Sequence, residues 1–99
     1  MEQEYFPAVV QSVAGPGRTV YAYFSNGAIR QYDMTAAIER GGVFAPLADA
    51  AFFTERLTVL NDTVAWDLSG HYDPRDCIDI DPFEVYAAVP VADPLESVG

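Results

Sequence analysis

An α+β fold, two β-hairpins in a mixed or antiparallel sheet with short helices packed on one face, is what this sequence predicts, and three observations carry it. Beta-branched and aromatic residues alternate on both sides of Asn26-Gly27, the strongest short-range hairpin signal a sequence offers. A second alternating stretch, RLTVLNDTVAWDL, is broken by Asn61-Asp62. Between and after these lie short segments with helix caps and stops. The 99 residues make one domain, because a second would leave neither half enough apolar surface to bury. The domain is expected over residues 1–91, with 92–99, rich in Pro, Asp and Ser, as a flexible C-terminal tail.

Taken in order, YFPAVVQSVAG opens with alternation that places Val9, Gln11 and Val13 on one face and Ala8, Val10 and Ser12 on the other. GPG at 15–17 is a turn, since Pro sets φ and the glycines accept positive φ. The Asn26-Gly27 hairpin has two possible registers. A two-residue turn pairs Phe24 with Ile29. A three-residue loop, Ser25-Asn26-Gly27, pairs Phe24 with Ala28 and Val20 with Tyr32. The second is preferred because it gathers Val20, Ala22, Phe24 and Tyr32 on one face and sends Gln31 and Asp33 outward.

DMTAAIERGG predicts a short helix capped by Thr35 or Asp33 and stopped by Gly41-Gly42. Val43 and Phe44 are then expected to plug the core. PLADAAFFTER predicts a second helix with Asp49 near its start. Phe52 and Phe53, being adjacent, cannot face the same neighbour, so one is expected at the surface or against another subunit. In the second hairpin Leu57, Val59, Val64 and Trp66 supply the apolar positions.

The stretch SGHYDPRDCIDIDPFEVY gathers five carboxylates with the single histidine and the single cysteine. One reading is a metal site: His71, Asp73, Asp76, Cys77, Asp79 and Asp81 are all ligand types, suited to Zn, Mn or Fe. The spacing matches no EF-hand loop, no H-E-x-x-H and no C-x-x-C, and no nucleophile stands at a recognisable spacing from His71. The other reading is structural and accounts for more residues. In CIDIDP, Ile78 and Ile80 face a core while Cys77, Asp79 and Asp81 share the opposite side. Asp81-Pro82 is an N-cap followed by proline at the first helical position, and Asp73-Pro74 is a smaller copy of the same device. Aspartates on an edge strand also discourage edge-to-edge pairing. The structural reading is preferred, with His71, Asp73, Asp76 and Asp79 kept as the metal candidates and no catalytic or cofactor-binding residue assigned.

Charge narrows the partners. Fifteen acids against five basic residues give a formal charge of −10, a field that repels phosphate backbones and anionic lipid. A basic protein partner fits, and direct nucleic-acid or membrane binding does not. MEQEYF carries acids where a signal peptide would carry positive charge, no apolar run reaches membrane-spanning length, and one cysteine makes no internal disulfide; a cytoplasmic protein is expected. Tyr21, Tyr23, Tyr32 and Arg30 on neighbouring strands could form a stacking platform.

The order of landmarks VYAYFSNGAIRQYDM, GGVFAPLADAAFF, TVAWD and IDIDPFEVY resembles the family catalogued as domain of unknown function 2442. Phe24, Asn26, Gly27, Tyr32, Asp33, Gly41, Phe44, Leu47, Phe52, Trp66, Asp79, Ile80, Pro82 and Tyr86 carry the match, which covers about residues 8–87. LSGHYDPRD lengthens the stretch between Trp66 and Ile78, and Val85 stands where leucine is commoner. The resemblance implies a small α+β domain and no established activity, cofactor or catalytic residue. Some relatives are fused to a helix-turn-helix domain, and others sit beside small companion proteins in toxin–antitoxin-like arrangements. A non-catalytic interaction role, accessory or antitoxin-like, is therefore the leading expectation. The alternative is a small-ligand or divalent-metal site, with hydrolytic chemistry, in segment 71–84. A homodimer is also expected, with Tyr21, Tyr23, Phe52 and Phe53 at or near its interface, because a domain this small has little core to cover them.

Overall fold

A computed structural model describes residues 7–94. The acidic opening MEQEYF and the last five residues of the expected tail lie outside the described residues. The fold is α+β. Its strands, expected in one sheet, form two antiparallel sheets. The first has the order β1 (Val9–Ala14), β2 (Thr19–Phe24), β3 (Ile29–Asp33), β7 (Val89–Pro90). The second runs β4 (Leu57–Leu60), β5 (Thr63–Asp67), β6 (Cys77–Asp79).

Strand β1 departs from strict alternation. Val9 pairs with Phe24 and Gln11 with Tyr23, so Val10 bulges out of the ladder. Two residues opposite one reverse every later face. Val9 is therefore buried in the core, while Gln11 and Val13 turn to the outer face beside Tyr23 and Tyr21. Ser12 turns inward instead, and its Oγ donates to the Thr58 carbonyl at 2.7 Å. With the Val9 N–H donating to the Asp62 carbonyl at 3.0 Å, this bond ties the first sheet to the second.

The β2–β3 hairpin takes the three-residue register. Phe24 N–H donates to the Ala28 carbonyl at 2.8 Å, Val20 lies opposite Tyr32, and Gly27 supplies φ 91°. The Asn61-Asp62 turn has φ 56° and 62°, the type I′ geometry that matches strand twist.

Helix α1 (Thr35–Arg40) begins where Asp33 Oδ1 accepts the Thr35 N–H at 2.9 Å, and it ends at Gly41, φ 77°. The second predicted helix is split. A 3-10 helix spans Gly42–Ala48 and includes Pro46; the chain then extends at Asp49 before α2 (Ala50–Glu55). Asp49 caps α2, accepting from the N–H groups of Ala51 and Phe52. The 3-10 repeat also decides where Val43 goes. Residues three apart eclipse, so Phe44 and Leu47 share the inner side, and Val43, expected in the core, is 72% exposed.

All five residues of β5 are buried. Trp66 is fully enclosed, its Nε1 donates to the Phe53 carbonyl at 2.9 Å, and its ring lies 5.3 Å from the Phe53 ring. On β6, Ile78 and Ile80 point into the core and Asp79 points out, as the alternation requires. Asp81 caps α3 (Pro82–Tyr86) by accepting the Phe83 N–H at 2.9 Å, with Pro82 at the first turn. Ala37, Ile38, Leu47, Phe53 and Val85, the helices' buried residues, join Val20, Ala22 and Phe24 in one core. Beyond α3, β7 adds to the first sheet, and Tyr23 Oη donates to Asp93 Oδ1 at 2.7 Å. Among the described residues no helix is long and apolar enough to cross a membrane.

Trp66→Ala should cost about 3 kcal/mol or more, since it empties a closed site and strands the Phe53 carbonyl. Asp81→Ala should cost about 1 kcal/mol, the usual value of an N-cap. Denaturant midpoints measure both; a midpoint for either variant equal to the parent's would contradict its assigned role.

Candidate functional site

Two surfaces hold the residues singled out from the sequence, and the acidic loop is the more ordered of them. Its organiser is Asp67, at the end of β5, whose residue is only 4% exposed. Oδ1 accepts from Ser69 N–H at 3.0 Å and Ser69 Oγ at 2.7 Å, and Oδ2 accepts from Tyr72 N–H at 3.1 Å. Ser69 Oγ in turn accepts from the N–H groups of His71 and Asp73. Burial works against the charge of Asp67. The Ser69 hydroxyl and the N–H groups of Tyr72, Ser69 and Gly70 outweigh it, leaving the carboxyl below the usual aspartate range. The same bonds hold Tyr72 in the left-handed region, φ 61°, a strained place for a bulky side chain.

The four metal candidates are occupied or apart. His71 is exposed. Asp73 Oδ1 accepts the Arg75 N–H at 2.9 Å and its Nε at 3.2 Å, and these bonds lower the Asp73 carboxyl. Asp76 is exposed, and Asp79 Oδ2 accepts from Asn61 Nδ2 at 3.1 Å. Among the described residues no three His, Cys, Asp or Glu side chains come together in a way that could hold a metal ion. Cys77 is half-buried. Burial first, then the fields of Asp79, Asp67, Asp76 and Asp73, push its thiol pKa up, away from the reactive thiolate. Between this loop and α2 lies an open cleft of about 320 Å³ lined by Glu55, Arg56, Asp67, Gly70 and Tyr72. Arg56 donates through its guanidinium to the Asp67 carbonyl at 3.0 Å and sits 5.5 Å from the Phe52 ring centre. Asp67 was missed from the sequence, although Asp-Leu-Ser-Gly is an Asx-turn signature.

The second surface is the outer face of the first sheet. One row across it is Gln11, Tyr23 and Ile29; the next is Val13, Tyr21, Gln31 and Val89. The tyrosine ring at 21 lies over Gly15, where an added Cβ would come within 3.0 Å of it. The wider platform does not form. Arg30 pairs with Ala22 on the inner side, with its guanidinium 4.6 Å from the Tyr86 ring centre and its Nε donating to the Tyr86 carbonyl at 2.8 Å. Tyr32 also faces inward, donating to Glu84 at 3.1 Å. The aromatic pair on α2 divides as well. Phe53 is 4% exposed and belongs to the core, so it leaves the interaction set, whereas Phe52 keeps an open edge beside Arg56.

Charge is uneven between the surfaces, the second holding Asp33 at the end of β3 and Asp93 on the Tyr23 hydroxyl. No Asp or Glu occurs in residues 5–32, which include β1, β2 and most of β3. Exposed Asp62, Asp76, Asp79, Asp81 and Glu84 instead surround β6 and α3. No family model, curated protein or solved structure matches this chain.

Because the folded-state pKa of Asp67 lies below the unfolded value of about 3.9, its contribution to stability is complete above that value. It is lost as pH falls from there through the folded-state value. The stability gap between the parent and Asp67→Asn should therefore narrow on acidification. Urea unfolding from pH 6 to pH 3 measures it, and a gap that stays constant would contradict the role given to the carboxylate.

Proposed function

We propose that this chain is a non-catalytic protein-interaction module, accessory or antitoxin-like in kind, whose acidic side takes a basic polypeptide. The observation that carries the reading is the density of charge around one strand and one helix. Exposed carboxylates crowd around β6 and α3, and the field of Asp79 and Asp76 adds to burial in raising the Cys77 thiol. A basic segment meeting that surface gains attraction and a faster encounter, while a nucleic-acid backbone is repelled. The ordered likeness to the domain-of-unknown-function 2442 family, with its companion-protein arrangements, belongs to the same proposal, as does a cytoplasmic setting.

Affinity purification from the source cell at low and high salt tests it. A basic polypeptide should be retained at low salt, released at high salt, and lost with a variant carrying Asp62→Asn, Asp76→Asn and Asp79→Asn. Recovery of nucleic acid alone would mean that the charge has been misread.

One observation favours a second reading: the cleft beside Arg56, Asp67 and Tyr72 has room for a small polar ligand next to segment 71–84. Elemental analysis of the purified protein separates the metal form of that reading from the first. Little or no bound metal is expected, and a tightly held equivalent of zinc or manganese that disappears with His71→Ala would reverse the order of the two.

A further inference from the structure

We propose that the outer edge of β6 is the docking line for an extended basic segment, which adds to the second sheet as a further strand. The proposal rests on the interaction-module reading and specifies where and how the basic polypeptide binds. In the order β4-β5-β6, β4 lies against β1, whose Ser12 Oγ donates to the Thr58 carbonyl. The far side of β6 pairs with no strand among the described residues.

The ladder to β5 fixes which backbone groups face that side. Leu68 N–H donates to the Asp76 carbonyl at 3.2 Å and Ile80 N–H to the Val64 carbonyl at 3.1 Å. Alternation along an antiparallel pair therefore points the backbones of Asp76, Ile78 and Ile80 at β5. The N–H and C=O groups of Cys77 and Asp79 point the opposite way. Among the described residues none of these four groups has a hydrogen-bond partner, so they form a row open to another chain.

Charge selects what fills the row. Asp79 is exposed on β6, with exposed Asp76 immediately before the strand and exposed Asp81 just after Ile80. A residue directly across an added ladder brings its Cβ to about 5 Å from that of its partner, where opposite charges attract and like charges repel. A second copy of β6 would bring the same aspartates against these, so self-pairing is opposed. A segment with lysine or arginine at alternate positions sets its charges on the Asp79 side, with uncharged residues turned to the Ile78 side. Backbone bonds then supply attachment and the alternate charges set the register, as in strand addition generally. The edge is short, and a segment bound there alone is held weakly.

Titration with a short capped peptide of alternating lysine and valine, followed by amide NMR, tests the proposal. The peptide should shift the Cys77 and Asp79 amide signals. In the register that charge selects, lysine N–H groups face the protein and valine N–H groups face water. N-methylation of the central lysine nitrogens of the peptide backbone should therefore abolish binding, while N-methylation at the valines, which leaves the charge the same, should preserve it. On the protein, Asp79→Asn should weaken binding. Asp79→Pro should abolish it, since proline removes the outward N–H and no ladder bond to β5. The methylated peptides meet the unaltered chain, so the result does not depend on the proline variant folding. Equal binding of the two methylated peptides overturns strand addition and leaves the interaction reading standing. No binding of the unmodified peptide, or binding that moves neither amide, overturns it as well. The interaction reading falls separately, if the whole chain retains no basic polypeptide at low salt.

Discussion

The fold depends on one strand that has no water-facing side. Strand β5 is buried along its whole length, so each of its polar groups must be answered by protein. Thr63 Oγ1 donates to the Ile80 carbonyl at 2.7 Å, and the Ile80 N–H returns a bond to Val64 at 3.1 Å. The Trp66 indole reaches the last carbonyls of α2 through Phe53. Asp67 gathers the loop that follows. One element thereby positions β6, α2 and the acidic loop together, and among the described residues no buried side-chain nitrogen or oxygen lacks a partner. Losing any of these bonds leaves a buried group unpaired, which costs more than a single exposed hydrogen bond contributes.

The acidic loop illustrates how carboxylates of the same kind serve different ends. Asp67, Asp73 and Asp81 spend their lone pairs on backbone N–H groups, closing turns or capping a helix. Asp62 and Asp76 lie at the surface with their charge facing water. A cluster of ligand-type residues in the sequence thus separates, in three dimensions, into structural fasteners and a solvated field. The alternation of CIDIDP is what divides them, since Ile78 and Ile80 must go inward and their neighbours cannot follow.

Features set by local chemistry were legible in the sequence. Asn26-Gly27, Asn61-Asp62 and Asp81-Pro82 specify their turns and cap through φ preferences and side-chain acceptors that act within a few residues. Features set by distant contacts were not. The bulge at Val10 arises where β1 must serve two sheets at once, bonding to Asp62 as well as β2. The 3-10 form of Gly42–Ala48 and the exposure of Val43 follow from how Phe44 and Leu47 seat on the core. Strand β7 is two residues long and exists because β3 offers an edge. For the candidate site, the tyrosine face was readable once the hairpin register was chosen, whereas the burial of Phe53 and the inward turn of Arg30 required the tertiary arrangement.

That short strand has a bearing on what the protein does when crowded. Val89 pairs with Gln31 and the Val91 N–H donates to the Ile29 carbonyl, so Pro90, between them, presents its backbone to the open edge. Proline has no N–H, and the donor it lacks is the one an added strand would need. At the far edge of the sheet, β1 is already engaged with the second sheet through Ser12 and Val9. Each edge of the first sheet thus lacks, or has already committed, a backbone donor that an added strand would use, Pro90 on one side and the Val9 N–H on the other.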